Sequence, residues 1–155
     1  MGLALSILGA AIAAGLAGIG SARGINIASR VGTGVLSEDP AKFGSTFPLV
    51  MLPSTQGFYG FVIAIFILFK VGVFGKLAPL TLANGLHIFF ASLPVGVVGL
   101  LSAIYQGQVS AAGIELVAKR PTEMVKGIIY AVMVETYAVL AFLVSLLIIL
   151  LGVRI

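Results

Sequence analysis

Four long apolar runs, parted by short polar connections, organise this chain. Residues 1–22 carry no charge, and Arg23, Arg30, Glu38, Asp39 and Lys42 follow. Residues 43–69 are again free of charge and close on Lys70 and Lys76. The third run, 77–114, closes on Glu115, Lys119, Arg120, Glu123 and Lys126, and the fourth, 127–153, is broken only by Glu135. A helix needs about 20 apolar residues to cross a hydrocarbon layer of about 30 Å. Every run meets that length, and the third is too short for two crossings and a turn. The pattern therefore predicts an all-α membrane protein with four transmembrane helices. Ser37, Glu38, Asp39 and Pro40 have turn chemistry, as do Lys119, Arg120, Pro121 and Thr122, while Gly72, Gly75 and Pro79 mark the middle connection. The connections leave no room for a soluble domain, so 1–155 reads as a single membrane domain. The first run lacks a basic start and is longer than a signal-peptide core, so it reads as a span.

A shift of 81 residues lays the second half on the first without a gap. Gly15 meets Gly96, Gly18 meets Gly99, Ser21 and Ala22 meet Ser102 and Ala103, Pro40 meets Pro121, Thr55 meets Thr136 and Phe61 meets Phe142. The expected units are two helical hairpins, 1–74 and 77–155, in the same orientation: a parallel repeat. An inverted repeat of the kind found in many secondary transporters needs an odd number of spans per half. The first helix carries small residues at four-residue spacing, Gly9, Ala13, Ala17 and Ser21, with Ala10, Ala14, Gly18 and Ala22 beside them. The third repeats this with Gly99, Ala103, Gly107 and Ala111. Such spacing lets helix backbones approach closely in lipid. Small residues on two adjacent faces predict packing on both sides, as in a ring of repeated hairpins; an isolated four-helix bundle is the alternative.

Composition narrows the function. An ordinary soluble domain is about 25 % charged, whereas this chain is 9 % charged and 60 % hydrophobic, with a mean hydropathy of +1.21. A typical soluble enzyme and a disordered segment are both excluded. The net charge of +4 sits on a nearly uncharged chain with no basic run longer than Lys119 and Arg120, so nucleic acid is not an expected partner. The absence of cysteine excludes disulfides, thiolate catalysis and Cys-ligated metal. There is no phosphate-binding loop, so neither ATP hydrolysis in this chain nor an organic cofactor is expected. Arg23, Arg30, Lys42, Lys119, Arg120 and Lys126 gather around the first and third connections, against Lys70, Lys76 and Arg154 on the opposite side. The positive-inside rule puts the loops at about 36–42 and 118–123 in the cytoplasm and both termini outside a cell membrane.

Glu135 is the one acid inside an apolar run. It lies nine residues after Lys126 and nineteen before Arg154, or about 14 Å and 28 Å along a helix. A carboxylate at that depth costs on the order of 2.5–3.5 kcal/mol on insertion scales and commonly marks an ion or proton path. Leu52, Thr55, Gln56 and Tyr59 fall at i, i+3, i+4 and i+7, one helical face. Gln56 is fourteen residues from both Lys42 and Lys70, and Gln106 is thirteen from Lys119. Polar side chains of three helices are thus expected to meet at one depth. Carboxylate, amide carbonyl and hydroxyl oxygens suit hard cations. Pro53 lacks an amide hydrogen and disturbs the preceding turn, offering carbonyls near Leu49 and Leu52 as further ligands. The bland alternative is that these groups only bond helix to helix. A proton site needs the acid alone, so the surplus of oxygens favours Na+, with H+ as the alternative. His87 is expected in packing or a hydrogen bond, and Glu115 with Lys119 as an i,i+4 pair.

Residues 52–60 (LPSTQGFYG), Gln106 with Gly107, 133–137 (MVETY) and 18–22 (GIGSA) resemble the duplicated membrane-rotor subunit of V-type ATPases, the proteolipid called c or K. The resemblance covers nearly the whole chain and is nearest to the bacterial sodium-pumping form. It implies an ion-translocating rotor ring turned by ATP hydrolysis in partner subunits, with one Na+ per chain. The implied ligands are the Leu52 carbonyl, Thr55, Gln56, Gln106 and Glu135, with the Tyr59 hydroxyl holding the glutamate. Ser54 departs from the glycine common there and adds a hydroxyl nearby. Implied partners are copies of the chain, a stator membrane subunit offering a cationic side chain, central-shaft subunits on the cytoplasmic side, and lipid. Ser54 is also the repeat counterpart of Glu135, so the chain holds one ion site per four helices. Fewer ions per turn can be driven against a larger gradient. A small secondary transporter and a pore protein are the rival readings.

Overall fold

The computed structural model describes residues 1–152; Arg154, used above for depth and orientation, lies outside them. Helix α1 spans Gly2–Glu38. The second span is composite: a 3₁₀ turn Pro40–Lys42, α2 (Phe43–Met51), a second 3₁₀ turn Leu52–Ser54, and α3 (Thr55–Lys70). Helix α4 is Leu82–Lys119. A third 3₁₀ turn, Pro121–Glu123, leads into α5 (Met124–Leu147), which widens into a π-turn at Ile148–Gly152. No strand occurs among the described residues. All four spans are long and apolar enough to cross a membrane.

The helix ends follow from proline. Asp39 and Arg120 leave the helical conformation, with φ of −144° and −141°, because a residue before proline is pushed out of the α region. The Asp39 carboxylate then accepts from the Ala41 amide at 3.1 Å and holds the turn. No proline stands between Ala22 and Glu38, so α1 runs on through Arg23 and Arg30. Its 37 residues measure about 55 Å, well beyond a hydrocarbon layer. In the middle connection Gly72 has φ of +77°, a left-handed conformation that glycine adopts without steric cost. The Thr81 hydroxyl caps α4 by accepting from the Asn84 amide at 3.2 Å. The expected Glu115–Lys119 pair does not form. The ion pairs among the described residues are Asp39–Lys42 and Glu123–Lys126. The first lies in the turn between α1 and α2, and the second joins the 3₁₀ turn before α5 to the first turn of α5, each at i,i+3. His87 is exposed.

Helices α1 and α4 pack side by side in parallel, glycine on backbone. A Cβ placed on Gly20 would meet the Leu100 backbone, one on Gly24 the Ala103 carbonyl, and one on Gly107 the Gly24 backbone. Helix α3 lies on α1 through Gly60, which faces Ala13 and Ala17, and α5 lies on α4 through the facing pair Gly127 and Gly113. Pro94 sits inside α4, and the next amide, Val95, donates to the Ser145 hydroxyl of α5 at 3.1 Å. Two apolar clusters result. One joins Ala13, Ile63, Ile67, Ile88, Val95 and Ile149; the other joins Ala28, Leu49, Ile114 and Val117. The polar residues of the second, third and fourth spans lie between them.

Candidate functional site

Pro53 sets the local backbone. It cannot donate to the carbonyl four residues earlier, and the chain passes through the 3₁₀ turn Leu52–Ser54 before α3 begins at Thr55. The Leu52 carbonyl is engaged rather than bare. It accepts the Thr55 amide, and the Thr55 hydroxyl lies 3.0 Å from it. The same hydroxyl is 3.3 Å from Gln56 Oε1. Gln56 is fully buried and its Nε2 donates to Gln106 Oε1 at 2.6 Å. Gln106, also fully buried, donates from Nε2 to the Ala131 carbonyl at 3.1 Å and to Glu135 Oε2 at 3.2 Å. The Tyr59 hydroxyl donates to Glu135 Oε1 at 2.7 Å.

One backbone carbonyl fixes the direction of this chain of bonds. The Ala131 oxygen can only accept, so Gln106 must turn its amide nitrogen toward α5. Its Oε1 then faces α3, where Gln56 must present nitrogen, and Gln56 Oε1 is left for Thr55. Both carboxylate oxygens of Glu135 receive a proton donor, an arrangement suited to the ionised acid. A half-buried carboxylate in an apolar span needs such support or a counter-charge. The arrangement can hold an anion at a fixed place and offers amide, hydroxyl and backbone oxygens along the same line.

The structure thus brings Leu52, Thr55, Gln56, Tyr59, Gln106 and Glu135 together from three spans. Pro53 is buried against Gly24 of α1 and contributes packing. Ser54 stands apart: its hydroxyl donates to the Met51 carbonyl at 2.7 Å, away from the carboxylate. Sequence reasoning missed two supports. The Ser21 hydroxyl accepts the Gly57 amide at 2.8 Å and ties α1 to the start of α3; in the sequence it reads as one more small packing residue. The Ala131 carbonyl has no sequence signature beyond lying one turn before Glu135.

The family model for the ATP synthase C subunit matches the chain twice, over residues 8–67 and 89–148. The two matches are offset by the same 81 residues as the internal repeat. The chain is 43 % identical over 149 residues to the V-type sodium ATPase subunit K of Enterococcus hirae, covering 96 % of this chain and 92 % of that one. It is 41 % identical over 145 residues to the A-type ATP synthase subunit K of Methanocaldococcus jannaschii, covering 94 % of this chain and 61 % of that one.

Proposed function

The chain belongs to the ATP synthase C-subunit family as a duplicated V/A-type proteolipid, a non-catalytic, multi-pass membrane subunit of an ATP-driven ion pump, and from that premise we propose that it binds one Na+ per chain at Glu135 and carries it across the membrane as its ring turns. The hairpins are 1–74 and 77–155, and the second supplies the acid. The ligands are Glu135, Gln106, Gln56, Thr55 and the Leu52 carbonyl, with Tyr59 holding the carboxylate. One observation carries this reading: the unbroken line of hydrogen bonds from Thr55 through Gln56 and Gln106 to Glu135. Protonation requires the acid alone, whereas a sodium ion requires several oxygens within reach of one centre. The relative named as a sodium ATPase subunit supports the same ion.

Binding Na+ makes Glu135 part of a neutral pair, which removes most of the cost of turning it toward lipid. A cationic group on the stator competes for the same carboxylate and releases the ion to an outlet. The emptied site stays paired to that cation until rotation carries it to an inlet, where Na+ takes the cation's place. The loops at about 36–42 and 118–123 face the cytoplasm and the central shaft, and both termini face outside. The Lys42 ammonium donates to the Ala118 carbonyl at 2.8 Å, which supports the two loops turning as one piece.

Glu135→Gln tests the assignment. Glutamine keeps shape and hydrogen bonding but carries no charge to exchange. Rings should still assemble while ATP-driven sodium uptake into vesicles falls to background. Uptake retained in the variant would remove Glu135 from the mechanism.

A further inference from the structure

A helix begins with amides that no carbonyl of its own can take, and the side chain at its N-cap ordinarily accepts from one of them. Helix α3 begins at Thr55, and its cap position is Ser54, a residue type well suited to the task. Ser54 does not perform it. Its backbone is helical, with φ of −78° and ψ of −23°, whereas a capping residue takes an extended conformation that carries its side chain over the first turn. The Ser54 hydroxyl instead turns back and donates to the Met51 carbonyl at 2.7 Å. The amide of Gly57, third residue of α3, is one that an N-cap side chain ordinarily takes. It donates to the Ser21 hydroxyl, 2.8 Å away on α1. Helix α3 is thus capped from another helix.

That first turn carries the cation ligands of the second span. Thr55 and Gln56 open α3, and the Leu52 carbonyl belongs to the 3₁₀ turn just before it. Helix ends fray, so these oxygens need an outside support to stay in place. Helix α1 grips the stretch at both ends. A Cβ on Gly24 would stand 2.7 Å from Pro53 Cβ, and one on Gly57 would stand 3.1 Å from Ser21 Oγ. We propose that Ser21 is a positioning residue for sodium: by capping α3 from the continuous helix α1, it holds the Leu52 carbonyl, Thr55 and Gln56 opposite Glu135 without touching the ion. The proposal rests on the sodium reading of this site.

The second hairpin carries the same serine without that task. Ser102 is the repeat copy of Ser21, and the two are equally buried. The Ser102 hydroxyl has no hydrogen-bond partner among the described residues. The copy of Gly57 is Ala138, which lies inside α5. That helix runs unbroken from Met124 to Leu147 and supplies the Ala138 amide with a carbonyl of its own. The serine is engaged only where the facing helix is interrupted, and the interruption is where the ligands sit.

Ser21→Ala tests the role in purified rings. Alanine is small and the best helix former, so α1 should persist and the rings should migrate normally on a native gel. Losing a helix cap changes an equilibrium by about two- to thirtyfold. The sodium concentration giving half-protection of Glu135 from a carbodiimide should rise by a factor in that range. The rate of modification without sodium should stay that of the unaltered protein, because Glu135 keeps its own donors, Tyr59 and Gln106. Ser102→Ala removes the matching hydroxyl that bonds nothing, and its titration should overlay that of the unaltered protein. An overlaid titration in Ser21→Ala, an equal rise in Ser102→Ala, or a changed sodium-free rate or lost rings in Ser21→Ala would overturn the positioning role and leave the sodium site standing. Unaltered rings that sodium does not protect at all would overturn both.

Discussion

Positions 54 and 135 are the same place in the two hairpins, and they have opposite characters. Glu135 draws a phenol from α3 and an amide from α4. Ser54 turns back to its own helix and bonds the Met51 carbonyl. The difference extends to the glutamines and the tyrosine, though not to the threonine. The repeat counterparts of Gln106, Gln56 and Tyr59 are Ile25, Tyr137 and Leu140. Thr136, counterpart of Thr55, donates its hydroxyl to the Met133 carbonyl at 2.7 Å within α5. The acid, both glutamines and the tyrosine are thus present as a set in one place and absent as a set in the other, while the threonine and its bond to the carbonyl three residues back occur in both. In lipid a polar group without a partner is costly, so a carboxylate and its hydrogen-bonding shell stand or fall together. The same repeated backbone holds a hydrogen-bonded carboxylate at one junction and plain packing at the next.

Three substitutions probe that contrast. Gln106→Ala strikes the group that links Glu135, Gln56 and the Ala131 carbonyl. It leaves buried polar atoms unpaired at a cost of about 1–3 kcal/mol. The sodium concentration giving half-protection of Glu135 from a carbodiimide should rise by about tenfold or more. Tyr59→Phe removes one donor 2.7 Å from the carboxylate and nothing else. A single hydrogen bond is worth about 0.5–1.5 kcal/mol net, so the same titration should shift by about two- to tenfold. Ser54→Ala removes a hydroxyl engaged with its own backbone, and its titration should overlay that of the unaltered protein. A shift as large as that of Tyr59→Phe would place Ser54 in the site and erase the contrast between the hairpins.

Much of this was legible in the sequence for a definite reason. Charge is expensive in hydrocarbon, so the charge-free runs mark the spans, and the constant rise of a helix turns residue counts into depth. That reasoning put Gln56, Gln106 and Glu135 at one level, where the structure joins them. The same reasoning is blind to what charge does not limit. Helix α1 continues through Arg23 and Arg30 because only Pro40 stops it. Spacing alone suggests a pairing of Glu115 with Lys119, while the pairs that form sit at the turns before α2 and α5. Lys42 on the Ala118 carbonyl and Lys70 on the Ile149 carbonyl join hairpin to hairpin. Backbone carbonyls leave no trace in a sequence, and neither does the direction in which an amide is turned.

The central claim is that a sodium ion, held by several oxygens, sits on Glu135. The most direct measurement is the rate at which a hydrophobic carbodiimide modifies Glu135 in purified rings, followed against sodium concentration at fixed pH. A carbodiimide reacts with the protonated acid, and bound Na+ keeps the acid ionised and shielded. Millimolar sodium should therefore slow modification at neutral pH, while potassium at the same ionic strength should not. A rate that follows pH alone, unchanged by sodium from neutral to mildly alkaline conditions, would contradict the account: the coupling ion would then be a proton, and the glutamines would serve only to bind helix to helix.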